Sequence, residues 1–485
     1  MVSTLVFLPL LLHAFGLSIY GVMALSTSVS GYAVLADLGV SLTLTRIVAE
    51  RNATGDQRGL SRALFSAMLI YGVVGTLVAA VMVVLGWYSG DVFHVTGNEA
   101  DLLRTLLWIG AATQLWYWPT SAARDGLTGL QRHDLTSMVA LGMVATEIAA
   151  TVFVLVTHRG PVVLISIRAL AVVVASLANG AMLFALLPRA ARRISASIAD
   201  VKAILRSGSS IFALQIAGVL GRQQTDKLVL GVFLGPAFVA IYEVAAKLNT
   251  LIATFISLTV SAIMPVAAEL NVREDREGLL SLFLRGTKIV ASLAAPLVTI
   301  LIAIAAPFIA AWVGPGYEKA VPVAQVLLLS QVLLPLYQLG DQILIGKNKF
   351  HLWVPGGLTM AVVNVVLSVI LVKTLGLIGV AIGTLSAVVL EFPWYAAVFG
   401  KEMELPIGVW MHRTAWPAYP LLVIPAVLAY LGGRTPLGSS IIGLVILAAS
   451  VAAIYWLILL FTGYTAVERA DLLSILRRAP RERVA

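Results

Sequence analysis

Ten ionisable side chains stand inside apolar runs: Asp37, Glu147, Arg168, Arg222, Asp226, Lys227, Glu243, Lys247, Asp341 and Glu391, with Arg104 at the edge of another. Each would cost about 2.5–3.5 kcal/mol at a lipid-facing helix centre, so together they require a protein interior or a wet cavity. Glu147, Glu243 and Glu391 fall nearest mid-run, where a carboxylate can carry a proton or bind Na⁺. Arg222 with Asp226, and Glu243 with Lys247, are spaced four apart and share a helix face. Such pairs are worth about 0.2–0.5 kcal/mol at exposed sites and can do no more than neutralise themselves. Arg168, Lys227 and Arg104 have no partner at that spacing, although Arg104 and Arg168, near run ends, can snorkel to the interface. With no cysteine and six scattered histidines there is no metal-ligand spacing, and no catalytic constellation stands out. These absences predict a chain that is not an enzyme and carries no metal or cofactor beyond a coupling ion.

The elements that hold these residues follow from composition. The 485 residues are 60% hydrophobic and 12% charged, against about 45–50% and about 25% in soluble domains. Mean hydropathy is +0.96. Apolar runs of the length an α-helix needs to cross about 30 Å of hydrocarbon succeed one another. They lie at about 2–15, 17–44, 63–86, 102–122, 135–157, 162–187, 208–234, 236–264, 284–312, 321–345, 352–373, 376–399, 414–431 and 438–463. The reading is an all-α, polytopic membrane protein of about fourteen transmembrane helices. A net charge of +9 could suggest nucleic acid, but no soluble segment is long enough to carry a basic patch.

Lysine and arginine set the orientation, because cytoplasmic loops retain them. About 24 fall at the even-numbered exits and the C-terminal tail, against about 4 at the odd-numbered ones, which predicts that both termini are cytoplasmic. The charged loop after the second run recurs: Glu50, Asn52, Asp56, Gly59 and Leu60 are matched 219 residues later by Glu269, Asn271, Asp275, Gly278 and Leu279. Gly16 and Gly235 share that offset, and Tyr20 matches Tyr242 after a slip of three. A period this long implies two homologous lobes rather than a solenoid. The predicted organisation is 1–200 for helices one to six, 201–399 for helices seven to twelve, and 400–485 for two further helices and a basic tail. The first run matches only the second half of its counterpart, so the chain is expected to start inside its first helix. The basic link 188–207 carries Ile194, Ile198, Val201 and Ile204/Leu205 at helical spacing, so it can lie as an amphipathic surface helix or form a solvated loop. Trp87, Tyr88, Trp116 to Trp118, Trp312, Trp394, Tyr395, Trp410 and Trp416 read mostly as an interfacial belt.

Two stretches carry a family resemblance. Gly31-Tyr32, Asp37-Leu-Gly39, Arg46, Glu50 and Gly55-Asp56, with Thr225-Asp226-Lys227, Gly231, Gly235 and Tyr242 to Leu248, resemble polysaccharide-biosynthesis flippases. These are O-antigen and exopolysaccharide repeat-unit transporters of the multidrug/oligosaccharidyl-lipid/polysaccharide exporter superfamily, and the similarity runs over nearly the whole chain. The resemblance implies two six-helix lobes around a central cavity. It also implies outward flipping of an undecaprenyl-diphosphate-linked oligosaccharide at the cell (inner) membrane, within lipopolysaccharide or other polysaccharide biosynthesis and beside polymerase or export machinery. A diphosphate needs several cationic donors, and arginine offers it a bidentate fork. Arg168, Arg222, Lys227 and Lys247 are therefore the substrate candidates, and Glu147, Glu243 and Glu391 the candidates for coupling to Na⁺ or H⁺. Asp37, Gly39, Arg46, Glu50 and Asp226 belong to the motif frame, where Asp37 is expected to pair with an arginine such as Arg46. A multidrug exporter of the same fold would favour an acidic cavity. A lipid II flippase would share the fold and the carrier lipid. A membrane glycosyltransferase or polymerase would need a larger external loop than the one at about 87–101.

Overall fold

A computed structural model describes residues 2–192, 195–220, 224–261, 263–347 and 349–470. Among the described residues there is no strand. The helices are α1 (Val2–Tyr32), α2 (Val40–Ala53), α3 (Gln57–Trp87), α4 (Ser89–Phe93), α5 (Asn98–Gly129), α6 (His133–Val156), α7 (Pro161–Leu186), α8 (Ile198–Leu220), α9 (Gln224–Phe233) and α10 (Pro236–Ser261). They continue as α11 (Ile263–Val272), α12 (Arg276–Ala303), α13 (Ala305–Val313), α14 (Ala320–Ser330), α15 (Leu334–Gly346), α16 (Val354–Leu375), α17 (Leu377–Met403), α18 (Ile407–Thr414), α19 (Val423–Gly432) and α20 (Ile441–Thr462). Nine stretches of helix among the described residues are long and apolar enough to cross a membrane, and up to eleven if the pairs Ala320–Ser330 with Leu334–Gly346 and Ile407–Thr414 with Tyr419–Gly432, bent by 48° and 46°, each span once. The chain is an all-α, multi-pass membrane protein.

Three of the fourteen expected spans account for the difference. The first two runs form one continuous candidate span, Leu5–Asp37, instead of two. Helix α5 is long enough, but Gln114 and its Trp, Tyr and Thr residues make it less apolar than its neighbours. The run 208–234 contains residues outside those described.

The chain divides into two compact units, Met1–Glu243 with Ala361–Val380, and Val244–Met360 with Ala381–Ala485. In the first, α2, α3, α5 and α8 close over a core of Leu44, Val48, Leu64, Tyr71, Trp118, Leu127 and Ile204. The Tyr71 and Trp118 rings lie 5.5 Å apart. In the second, Phe283, Tyr395, Phe399 and Trp410 nest together with ring centroids 4.5 to 6.3 Å apart. Trp118, Tyr395 and Trp410 are therefore core residues and not part of an interfacial belt, whereas Trp87 and Trp416 are two-thirds exposed, as a belt requires.

The sequence repeat has a local structural signature. Asp56 Oδ1 accepts the Gly59 amide at 2.8 Å and starts α3; Asp275 Oδ1 accepts the Gly278 amide at 2.8 Å and starts α12. Each is a side-chain N-cap that satisfies a helix-end donor. Gly16 breaks α1 at φ +79°, and Gly235 separates α9 from α10 at φ +89°, a conformation glycine adopts without the clash a Cβ brings. The link 188–207 is only partly the predicted surface helix. A 3₁₀ turn at Arg189–Arg192 precedes α8, which starts at Ile198 and carries straight on through Leu220. Ile204 is fully buried and Ile198 is exposed, while Ile194 lies outside the described residues.

Candidate functional site

The turn at Gly235 builds the first part of the site. Lys227 on α9 and Glu243 on α10 stand eight residues either side of it, and their side chains meet, Lys227 Nζ lying 2.6 Å from Glu243 Oε2. Their neighbours form the next rung: the Tyr242 hydroxyl donates to Asp226 Oδ2 at 2.5 Å. One residue further, Thr225 meets the Tyr32 hydroxyl of α1 at 2.5 Å. The Lys227 and Glu243 side chains are only 11% and 7% exposed, so the ion pair is held out of solvent. Tyr20 on α1 lies close enough to interact with the charges of both Glu243 and Arg168.

Arg168 is not the unpartnered cation that its spacing suggested. Its Nη2 lies 3.2 Å from Glu147 Oε1, joining α7 to α6, with Thr151 Oγ1 at 3.5 Å. Arg104 likewise pairs with Asp101 one turn away on α5 and stands 5.8 Å over the Trp108 ring. Two expected roles thus meet in single ion pairs: a substrate-binding candidate with a coupling candidate, once as Lys227–Glu243 and once as Arg168–Glu147. Lys247 follows Glu243 by one turn of α10 and is partly buried. Arg222 lies outside the described residues.

The motif frame folds into a separate buried network. Leu38 and Gly39 adopt φ +51° and +72°, ending the short 3₁₀ turn after α1 so that α2 can start in a new direction. Asp37 Oδ1 accepts the Ser41 amide at 3.2 Å. The Tyr71 hydroxyl lies 2.8 Å from both Asp37 Oδ1 and Asp125 Oδ2, and a phenol has one proton to share between them. Asp125 also accepts from Ser41 Oγ at 2.9 Å and from Arg124 Nη2 at 3.1 Å. The cation of this network is therefore Arg124 of α5, while Arg46 and Glu50 are exposed on α2. Sequence reasoning missed Tyr71 and Asp125; the available signal was an aspartate three residues past the end of the run 102–122, beside Arg124.

In the second unit Glu391 of α17 is 6% exposed, and its Oε1 makes no hydrogen bond. Among the described residues no group of three or more His, Asp or Glu side chains could hold a metal ion. What the first unit offers chemically is one nearly buried ion pair, Lys227–Glu243, and a more exposed one, Arg168–Glu147.

Residues 2–271, more than half of the chain, match the family model described as polysaccharide biosynthesis protein. The chain belongs to the polysaccharide biosynthesis protein family. A search among curated proteins gives no match to this family member. Its fold is that of MOP superfamily transporters. An inward-facing multidrug resistance MATE family transporter of that superfamily superposes with a TM-score of 0.67 at 20% identity, covering 83% of this chain and 95% of its own. The lipid II flippase MurJ, in an inward closed conformation, gives 0.65 at 14% identity, covering 94% and 97%.

Proposed function

We propose that this chain is a flippase that moves polyprenyl-diphosphate-linked oligosaccharide repeat units from the cytoplasmic to the outer leaflet by alternating access. The observation that carries this reading is the Lys227–Glu243 ion pair, whose side chains are only 11% and 7% exposed. A diphosphate is a stronger partner for an ammonium or guanidinium group than a single carboxylate, because it offers more charge and more acceptor oxygens. Binding would draw Lys227 from Glu243 and Arg168 from Glu147, leaving carboxylates free to take up a proton or Na⁺ and reset the empty carrier. Family membership and a fold shared with transporters support the reading. The cations Lys227 and Arg168 speak against a drug exporter, whose cationic substrates favour acidic cavities.

The testing experiment is deletion of the gene followed by analysis of lipid-linked glycans. Accumulated undecaprenyl-diphosphate repeat units are expected, restored to normal by the wild-type chain and not by Lys227→Ala inserted at wild-type level. The MurJ-like fold keeps one second reading, a lipid II flippase, which predicts accumulated peptidoglycan precursor instead. Full export by Lys227→Ala would remove the ion pair from the mechanism.

A further inference from the structure

Two spans of the second unit are broken, and two tyrosines tie the breaks together. The spans are α14 with α15, bent by 48°, and α18 with α19, bent by 46°. In the first, Pro335 has no amide proton for the Gln331 carbonyl, and the Leu336 amide turns back to the Leu333 carbonyl at 3.0 Å. The Val332 carbonyl thereby loses its helical donor, and the Tyr419 hydroxyl donates to it at 2.5 Å. In the second, Pro417 and Pro420 withhold two further amide protons, from the carbonyls of Arg413 and Trp416. There the Tyr455 hydroxyl of α20 donates to the Ala418 carbonyl at 3.0 Å. The residue that serves the first break, Tyr419, thus belongs to the second, and its neighbour Ala418 is the one that α20 holds.

Hydrocarbon offers no water to a bare carbonyl, so a break inside a span has to draw donors from elsewhere, and here tyrosine hydroxyls supply them. Proline alone does not make the first break. At the repeat offset of 219, α14 and α15 correspond to 98–129, which runs unbroken as α5 although Pro119 lies inside it. Around the second break, Ala418 and Tyr455 are fully buried with Leu459, and Tyr419 and Leu422 pack on them, so packing reinforces the hydrogen bond to α20.

We propose that the two breaks form one jointed hinge, with Tyr419 as the link between them and Tyr455 as its anchor on α20. A swing of α15 about 331–333 moves the Val332 carbonyl. If Tyr419 and its turn follow, the carbonyl keeps its donor; if they stay, a carbonyl is left bare inside the span, which is the costlier outcome. Loosening the anchor at Ala418 therefore reaches α15 through Tyr419. The coupling belongs to the folded chain, and only its use in alternating access rests on the transporter reading.

Double electron–electron resonance on the purified full chain tests this, because no native cysteine competes with the spin labels. Labels on Val321→Cys and Ile345→Cys bracket the first break, and labels on Val409→Cys and Leu431→Cys bracket the second. Val321 is half-buried and the other three are exposed. A swing of about 10° at the first break moves a label on Ile345, about 17 Å along α15, by about 3 Å. Tyr455→Phe, which removes a hydroxyl from the second break alone, is expected to shift or widen both distance distributions by an amount of this order, and Tyr419→Phe to do the same. Both substitutions keep the ring and its packing; thermal unfolding checks each, and either one suffices. A change confined to one pair of labels, or no change in either, would overturn the link. Absence of accumulated lipid-linked repeat units on gene deletion would remove the transport role and leave these distances as they are.

Discussion

Lys227 and Glu243 show what a single side chain contributes when its partner is buried with it. Removing one member strands the other, which costs about 3–5 kcal/mol, whereas removing both with apolar replacements of similar volume can be neutral. Lys227→Met is therefore expected to lower the unfolding temperature in detergent markedly, and Lys227→Met with Glu243→Leu to recover most of the loss. Equal destabilisation by the single and double variants would show that the pair is not coupled. The residues were visible in the sequence because a charge inside an apolar run is conspicuous. Their pairing was not, since spacing within one helix favoured Arg222 with Asp226 and Glu243 with Lys247. A contact sixteen residues apart depends on the turn at Gly235, which no helical periodicity encodes.

Glu468 offers a second test among residues, beyond the last candidate span. Its carboxylate holds Lys288 Nζ at 2.9 Å, and Lys288 in turn stands 4.3 Å from the Tyr464 ring centroid. Partial burial pushes the Glu468 carboxyl up, but the Thr465 amide and hydroxyl and the Lys288 ammonium outweigh it and hold it below the ordinary glutamate range. A depressed folded value means that the contribution to stability is complete above the unfolded value of about 4.3 and fades as pH falls through the folded one. Glu468→Gln is expected to unfold at a lower temperature than wild type at neutral pH, with the gap closing below about pH 4. A gap independent of pH would assign the effect to shape instead of charge.

At the scale of elements, the two capped starts are equivalent tests of one device. Asp56→Ala and Asp275→Ala should each cost about 1 kcal/mol through loss of a side-chain cap, measured by thermal unfolding. Helix approach makes a harsher demand at Gly21, where a Cβ would stand 1.9 Å from the Pro236 carbonyl oxygen, backbone that cannot rotate away. Gly21→Val should therefore destabilise by at least about 1–3 kcal/mol, the usual range for overpacking. Element identity was legible because apolar runs of spanning length admit little besides helix. Continuity was less so: the break at Gly16 is one residue inside a single span, and the bends at 331–333 and 415–418 carry no strong breaker signal apart from Pro335 and Pro417. The Asp37–Tyr71–Asp125 network was illegible for a similar reason, since its three members come from three segments whose register only packing decides.

For the whole molecule, the charge asymmetry of the loops makes orientation testable in a chain with no native cysteine to interfere. Asn98→Cys should react with an impermeant thiol reagent applied outside cells, and Thr54→Cys should react only after permeabilisation; the reverse would invert every loop. Energetics follow from the proposed cargo. A diphosphate diester carries about two negative charges, and each gains about 2.3 kcal/mol per 100 mV in leaving a negative cytoplasm. If the protein's cations stay in place while aqueous access alternates, an inside-negative potential should speed outward flipping in proteoliposomes. Flipping indifferent to potential would show that protein cations cross the field with the head group.

The matched caps at Asp56 and Asp275 also bear on ancestry. A duplicated gene begins with two identical halves, and what still agrees at the shared offset is scaffold: caps, helix breaks and spanning lengths. The ionisable side chains do not agree. Tyr71 and Asp125 face Val290 and Leu344 at that offset, and Asp341 and Glu391 face Ala122 and Val172. At that offset these side chains have no ionisable counterpart, so what the two stretches share there is the frame and not the charges. A chain rebuilt from two copies of either half would keep its capped helices and lose one half's chemistry.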